Sequence, residues 1–308
     1  MPVVINTPMN HTERIEKALL SLEGLSIGDS FGQKFFIEQN KAIQAIDLRI
    51  LPSEPWYYTD DTVMAISIVE TLNKFGLIEQ DYLARLFARK YIEEPNRGYG
   101  SSAAKALREI SEGADWRQVS NRAFSGMGSM GNGGAMRAAP IGAYFFDNYE
   151  KLVEEAVASC EVTHAHPEAK AGTIAVAVAA AYCVRQSLGL ISSDEKDLLQ
   201  TIIEFTPISD TRSRIKRATN IAYDSHLDYA IFLLGNGSHL CSYDTVPIAL
   251  WFVAGNDNFE DALWNAVAVL GDRDTICAIV GSLVALTITQ EHLPKIWIES
   301  REPLKLEF

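Results

Sequence analysis

Apolar residues recur along this chain at the three- and four-residue spacing of helices, and no stretch shows the alternation typical of strands. The pattern predicts a first helix that Thr12 caps, with its apolar positions over 15–22 on one face. A second helix follows from the apolar stripe over 63–72. Further helices are predicted over 80–92, 101–112, 150–160, 167–185, 194–205, 210–222, 243–254, 258–269 and 274–288.

Glycine-rich stretches interrupt this helical pattern and are predicted to be loops: GLSIGDSFG (24–32), RGYGSS (97–102), FSGMGSMGNGG (124–134) and LLGNGSH (233–239). The segment 293–308, which contains Pro294 and Pro303, is predicted to be an irregular C-terminal tail. No repeat or low-complexity linker divides the chain. We therefore expect a single domain over 1–308.

Composition and charge indicate which partners the protein is expected to bind and in which cellular compartment it is expected. The chain has 308 residues, of which 47% are hydrophobic, and a net charge of -13, so a nucleic acid is not expected as its main partner. The four cysteines form no CxxC spacing, which favours free thiols in a reducing compartment. The first residues, MPVVINTPMNHTERIEK, lack the apolar core of a signal peptide. Two uncharged runs, 171–184 and 276–289, are too short to span a membrane. We expect a cytoplasmic protein with no membrane partner.

Two acidic motifs, TDDT at 59–62 and GDRDT at 271–275, each precede an apolar helix. A helix dipole stabilises a carboxylate by only ~0.3–1 kcal/mol. That is too little to hold four acids together if the two helix starts converge. Divalent cations with oxygen ligands would do so, which points to Mg²⁺, with Mn²⁺ or Ca²⁺ as alternatives. The competing interpretation is that both motifs are only N-caps.

A third motif, GMGSMGNGGAMRAAPIG at 126–142, brings flexible backbone to a helix start. Its glycines allow N–H groups to approach a ligand closely, which suits a phosphate or pyrophosphate, although a simple turn would look the same. It matches neither a Walker loop nor a dinucleotide fingerprint. Met136 is expected in the core and Arg137 at the surface. His164 and His166 lack a third nitrogen or sulfur ligand nearby, so a hydrogen bond from His164 to a ligand is favoured over zinc binding, with a buried structural histidine as the alternative.

Taken in order, GDSFG (28–32), TDDT (59–62), GSMGNGGAMR (128–137), TH (163–164) and GDRDT (271–275) resemble the motifs of the ADP-ribosylglycohydrolase family, over nearly the whole chain. The resemblance implies an all-α, orthogonally packed, multi-helix single domain with two Mg²⁺ ions in a central cleft. It also implies a monomer that acts on an ADP-ribosylated protein or a small ADP-ribosyl conjugate.

Matched motif by motif, the resemblance implies a role for each group of residues. The metal ligands would be Thr59, Asp60, Asp61, Asp272, Asp274 and Thr275. The diphosphate would be held by Gly128, Ser129, Met130, Gly131, Asn132 and Gly133. His164 would face the distal ribose. Family members often carry a glutamate where this chain has Phe36, with Glu38 two residues further on.

The implied reaction is hydrolysis at C1″ of the distal ribose, with the ions orienting the ribose hydroxyls and a water molecule. The carboxylate that accepts the proton from water would be Asp60, Asp61 or Asp274, or alternatively Glu38. Two other functions remain open at this point, namely a catalytically inactive ADP-ribose-binding protein of the same fold and a two-metal phosphohydrolase. The sequence also leaves open whether the linkage is to arginine, serine, an ester, a nucleobase or a polymer.

Overall fold

The protein is helical throughout the part that the computed structural model describes, residues 9–191, 197–288 and 292–308. In these residues the chain forms sixteen α-helices and no β-strand, with only two isolated β-bridges, Trp56 to Arg301 and Gly131 to Cys241. The predicted all-α fold class is therefore confirmed. None of the described helices is both long and apolar enough to cross a lipid bilayer.

The helices are α1 His11–Gln33, α2 Gln39–Asp47, α3 Asp60–Phe75, α4 Gln80–Glu93, α5 Ser101–Ser111, α6 Trp116–Gly126, α7 Ala139–Tyr144, α8 Tyr149–Glu161, α9 Pro167–Ser187, α10 Leu198–Phe205, α11 Asp210–Ala218, α12 Leu227–Leu234, α13 Ser242–Gly255, α14 Phe259–Val267, α15 Arg273–Val284 and α16 Lys295–Ser300. Two 3₁₀ turns cover Asn132–Gly134 and Ala285–Thr287.

Each predicted helix has a counterpart, but the ends differ in several places. The helix predicted over 210–222 ends at Ala218, and the one predicted over 274–288 becomes a 3₁₀ turn after Val284. The predicted start at 194 lies outside the described residues. The pattern missed α2, α6, α7, α12 and α16, all of which are short.

The prediction that GLSIGDSFG is a loop was wrong, because all nine residues lie inside α1. Three of its glycines face α15 closely. A Cβ on Gly28 would lie 2.0 Å from the carbonyl oxygen of Cys277, and one on Gly32 would lie 2.4 Å from that of Arg273. Glycine is therefore needed here for helix-to-helix contact rather than for a turn. The predicted cap was also wrong, because Asn10, not Thr12, caps α1 and forms a capping box with Glu13.

The hydrophobic core runs through the whole described chain as one cluster, and α9 lies inside it. The sequence AGTIAVAVAAA of α9 is buried on every side, and its small side chains let neighbouring helices approach closely. Gly142 of α7 packs so closely that a Cβ there would lie 1.9 Å from the carbonyl oxygen of Ala177. Cys160, Cys183 and Cys277 are buried free thiols, and Cys241 is partly exposed.

The prediction of an irregular tail over 293–308 was wrong in part, since 295–300 form α16. Trp297 of this helix is 2% exposed and stacks on Phe31 with ring centroids 4.6 Å apart. Beyond the helix, the main chain pairs with the segment before α3. The Trp56 amide donates to Ser300, and the Glu302 amide donates to Trp56. Burial of the indole thus anchors the tail next to the TDDT motif.

Candidate active site

The N-termini of α3 and α15 carry the two acidic motifs, and α1 lies against both helices. Asp29 of α1 is fully buried and accepts four hydrogen bonds from the TDDT motif. The amide and hydroxyl of Thr59 donate to it at 2.9 and 2.8 Å, and those of Thr62 donate to it at 3.1 and 2.5 Å. Asp29 therefore fixes the start of α3, a role that the sequence reasoning missed.

Helix capping does not account for the other carboxylates. Thr59 caps α3, since its hydroxyl accepts from the Asp61 amide at 3.3 Å. Asp272 occupies the N-cap position of α15 but makes no side-chain capping hydrogen bond. Asp61 is 2% exposed, and its Oδ2 has no hydrogen-bond partner among the described residues. The interpretation that both motifs are only N-caps therefore does not fit these side chains.

The five aspartates of these elements lie close enough to repel one another. The pKa of Asp60 is raised to about 8, chiefly by burial and also by the charges of Asp29 and Asp274. Burial also raises the pKa of Asp61 well above its usual range, with contributions from all four other carboxylates. The pKa of Asp272 is raised by burial and by Asp274. The two motifs thus converge on one acidic cluster, as the sequence predicted.

The glycine-rich loop lies against this cluster. Asn132 donates from Nδ2 to Asp272 Oδ2 at 2.6 Å and to the hydroxyl of Thr245 at 2.9 Å. The loop pairs with the chain before α13, because the Asn132 amide donates to Leu240 and the Ser242 amide donates to Met130. The Gly131 amide donates to Ser129 Oγ at 3.2 Å. Asn132 therefore joins the loop to the acidic cluster, and the other loop residues predicted to bind substrate lie in the same short segment.

The predicted loop LLGNGSH is a loop only from residue 235 on, because its first two residues end α12. Its remaining residues pack against Asp272. The Asp272 amide donates to the carbonyl of Asn236 at 3.0 Å. A Cβ on Gly237, whose φ is +83°, would lie 2.4 Å from Cβ of Asp272, and one on Gly271 would lie 1.9 Å from the Asn236 oxygen. These close approaches hold Asp272 in place.

His164 packs closely against the glycine-rich loop. A Cβ on Gly133 would lie 2.5 Å from Cε1 of its ring. Its Nδ1 is 2.7 Å from the Thr163 hydroxyl, which in turn accepts from Arg137 Nη2 at 2.9 Å. Arg137 is fully buried, so the prediction that it lies at the surface was wrong. Its guanidinium packs 4.5 Å over the ring of Phe87 and donates to the carbonyl of Ser159. These two contacts replace the water molecules that surround an exposed arginine.

The C-terminal tail also contacts the start of α3. The Asp60 amide donates to the carbonyl of Arg97 at 2.7 Å. Arg97 is held by an ion pair with Glu302, whose carboxylate also accepts from the Tyr58 amide at 3.0 Å. The sequence did not predict this contact, because Arg97 and Glu302 are far apart along the chain and form no local pattern.

Phe36 and Glu38, the positions near which family members often carry a glutamate, make no polar contact with the acids among the described residues. Glu38 is exposed at the start of α2 and pairs with Lys41 at 3.4 Å. Phe36 is 49% exposed and lies 4.7 Å from the guanidinium of Arg273. Neither side chain makes a hydrogen bond or ion pair to the aspartates of the described residues, so Glu38 is not supported as the proton acceptor.

The donor chemistry of the cluster suits a hard divalent cation. Its side chains offer carboxylate and hydroxyl oxygens only, and one carboxylate oxygen of Asp61 is buried without a partner. Among the described residues, no three His, Cys, Asp or Glu side chains are already gathered into a closed ligand group. The donor set and the mutual repulsion of the acids, rather than a preformed cage, are what favour a metal here. The six metal ligands predicted from the sequence stay a prediction.

Comparisons with known proteins agree with the resemblance of the motifs. The family model described as ADP-ribosylglycohydrolase matches residues 10–307. ADP-ribosylhydrolase ARH3 of Homo sapiens is 26% identical over 281 residues, which cover 81% of this chain and 76% of its own length. ADP-ribosylarginine hydrolase Tri1 of Serratia proteamaculans is 22% identical over an alignment of 318 residues in length. This alignment covers 97% of this chain and 79% of the length of Tri1.

Solved structures agree on the fold. A structure described as an ADP-ribosylglycohydrolase-related protein complex superposes with a TM-score of 0.64 at 22% identity, and the match covers 94% of each chain. At this identity the likeness shows the all-α fold and leaves the substrate open.

Proposed function

This chain belongs to the ADP-ribosylglycohydrolase family, and on that premise we propose that it is a hydrolase that releases ADP-ribose from a modified protein or small conjugate. The bond cleaved is the one at C1″ of the distal ribose. The observation that carries the proposal is the convergence of the α3 and α15 aspartates beside the glycine-rich loop. Relatives whose names specify ADP-ribosyl hydrolysis add support.

The proposed cofactor is a pair of Mg²⁺ ions, with Mn²⁺ as a substitute. The residues that would hold them are Thr59, Asp60, Asp61, Asp272, Asp274 and Thr275. When bound, such ions polarise oxygen atoms and lower the pKa of a bound water. The ions would also offset the repulsion that raises the pKa values of the buried aspartates.

Residues of the chain would bind the diphosphate and accept the proton. The glycine-rich backbone of 128–133 is the segment that would hold the diphosphate through main-chain N–H groups. A carboxylate among Asp60, Asp61 and Asp274 accepts the proton of the attacking water, because a carboxylate is the usual general base in the hydrolysis of a glycosidic bond. Asp29 and Asp61 are buried, whereas Asp60, Asp272 and Asp274 are partly exposed. The partial burial of the cluster strengthens these electrostatic interactions.

A panel of defined ADP-ribosyl conjugates tests the proposal, with free ADP-ribose measured as the product. Asp60→Ala and Asp274→Ala are each expected to lower turnover by at least about 10²-fold, because each removes a carboxylate from the cluster. Asp228→Asn, at an exposed position of α12, is the matched control and is expected to leave turnover unchanged. Undiminished ADP-ribose release by both site variants would contradict the proposal.

The same panel separates the two other functions. Release of inorganic phosphate without free ADP-ribose would favour a phosphohydrolase. Tight ADP-ribose binding without turnover on arginine, serine, ester, nucleobase or polymer linkages would favour a catalytically inactive binding protein. The conjugate that is cleaved fastest would identify the linkage.

A further inference from the structure

Arg137, Thr163 and His164 form a buried chain of hydrogen bonds that ends at the glycine-rich loop. Arg137 is 0% exposed, Thr163 is 4% exposed and His164 is 7% exposed. Nη2 of Arg137 lies 2.9 Å from the hydroxyl oxygen of Thr163, and that oxygen lies 2.7 Å from Nδ1 of His164. A guanidinium can only donate hydrogen bonds, so the direction of the first bond is fixed.

The direction of the second bond follows from the first. A threonine hydroxyl has one proton to donate, and within the described ranges of the chain its only acceptor in reach is Nδ1 of His164. If Nδ1 carried a proton, the hydroxyl would receive two hydrogen bonds and its own proton would point at no acceptor in a buried place. Such an unsatisfied donor costs about 1–3 kcal/mol. The hydroxyl proton therefore points at Nδ1, and the imidazole carries its proton on Nε2.

We propose that Arg137, acting through Thr163, holds His164 as the neutral tautomer protonated on Nε2. In this state His164 is a fixed hydrogen-bond donor to an oxygen atom of the ligand, and it is neither a general base nor a general acid. Arg137 and Thr163 are positioning residues, because they act on the ligand only through the imidazole.

The surroundings of Nε2 suit this role. A Cβ on Gly131 would lie 3.1 Å from Nε2, and one on Gly133 would lie 2.9 Å from it. Neither position has room for a side chain, so the backbone of the loop runs directly beside this nitrogen. Nε2 makes no hydrogen bond to any described residue, and it is not among the atoms sealed from solvent. Its N–H is thus available to a hydroxyl or phosphate oxygen bound along the loop.

The charged and titratable groups around the ring keep it neutral. The pKa of His164 is lowered to about 3, chiefly by burial and also by the positive charge of Arg137. The Cys160 thiol donates to the carbonyl of His164 at 3.2 Å, and burial raises the pKa of that thiol to about 11, so it adds no charge. No carboxylate contributes to the His164 shift, so nothing favours the imidazolium.

Nitrogen-15 NMR of the full-length protein with labelled histidine tests the tautomer directly. His164→Gln assigns the signal. We expect the wild-type signal to show an unprotonated Nδ1 and a protonated Nε2, unchanged from about pH 7.5 to about pH 5. A proton on Nδ1, or protonation of both nitrogens within this range, would overturn the proposal.

Two variants of similar size test the part played by Thr163. Thr163→Val removes the hydroxyl but keeps the shape, whereas Thr163→Ser keeps the hydroxyl. We expect Val to lose the single Nε2–H signature and to weaken ADP-ribose binding by about 5- to 10-fold, and Ser to stay within about twofold of wild type. An unchanged signature and affinity in Thr163→Val would overturn the role of Thr163.

The identity of the ligand rests on the proposed function, but the tautomer does not. The NMR measurement needs neither ligand nor turnover. If no conjugate is cleaved and the tautomer is as expected, the proposed function fails and this inference stands. If ADP-ribose is released but Nδ1 carries the proton, this inference fails and the proposed function stands.

Discussion

Asp29 accepts hydrogen bonds from both the amide and the hydroxyl of Thr59, the residue that caps α3. It also accepts from the amide and hydroxyl of Thr62, and three of the four bonds end on Oδ2. One side chain of α1 thus fixes the first turn of α3 and the position of Asp60 and Asp61.

Asp29→Ala is expected to destabilise the protein by about 2–4 kcal/mol, because four buried donors lose their acceptor. It should also lower ADP-ribose release by about 10²-fold, because Asp60 and Asp61 would shift. Asp29→Asn is expected to keep most of the stability, since its carbonyl oxygen can replace Oδ2. Urea unfolding and turnover measure both effects. Equal stability of Asp29→Ala and the wild type would show that this carboxylate does not hold α3.

Asp61→Asn distinguishes a metal ligand from a helix cap. In chelator we expect the variant to melt at a higher temperature than the wild type, because it removes a buried charge that four neighbouring carboxylates repel. In Mg²⁺ the order should reverse, since the variant loses a ligand. Thermal melts with and without the ion measure both. A variant that melts lower in chelator would indicate a capping role instead.

Gly28→Ala is expected to destabilise the protein by about 2–4 kcal/mol, because the new methyl group would overlap the Cys277 carbonyl and separate α1 from α15. Gly100→Ala is the matched control, since nothing lies within 4 Å of a Cβ there. Chemical unfolding compares the two. Similar losses in both variants would contradict the close packing of α1 on α15.

Glu302→Ala tests the contact between the tail and the site. The loss of the ion pair with Arg97 and of the bond from the Tyr58 amide should cost about 1–3 kcal/mol, because these groups are only partly exposed. Turnover should fall as well, since the Arg97 carbonyl holds the Asp60 amide. The exposed Glu299→Ala is the control. Turnover of Glu302→Ala equal to that of the control would separate the tail from the active site.

His164 predicts how stability depends on pH. Its pKa is about 3 in the folded protein and about 6.5 when unfolded, so the unfolded state binds the additional proton between these values. Stability is therefore lost as the pH falls below about 6.5, by up to about 1.4 kcal/mol per pH unit. The difference in unfolding free energy between the wild type and His164→Gln should shrink over this window. A difference that is constant from about pH 6.5 to about pH 4 would show that folding does not lower the pKa of His164.

The sequence predicted the elements that carry strong local signals. The apolar periodicity of 167–185 and of 63–72 gave helices that the structure contains, and the paired acidic motifs lie in one cluster. The failures came from tertiary contacts. Glycines spaced four residues apart in 24–32 indicated a loop, but they line a contact with another helix.

Buried polar partners were the other failure. Arg137 follows a glycine-rich loop and resembles a surface residue, yet Phe87, Ser159 and Thr163 surround it. The sequence placed Asp29 in a motif but did not predict its hydrogen bonds, because its four donors lie about thirty residues away along the chain. The regular four-residue spacing of Gly24, Gly28 and Gly32 was the one signal that could have identified the helix contact.

Turnover by the metal-stripped protein tests the central claim, that aspartates from α3 and α15 act together through bound divalent ions. Release of ADP-ribose from the best conjugate is measured after chelation and again after Mg²⁺ is added back. We predict that release stops in chelator and returns with Mg²⁺. Full turnover by a preparation free of divalent ions would contradict the claim.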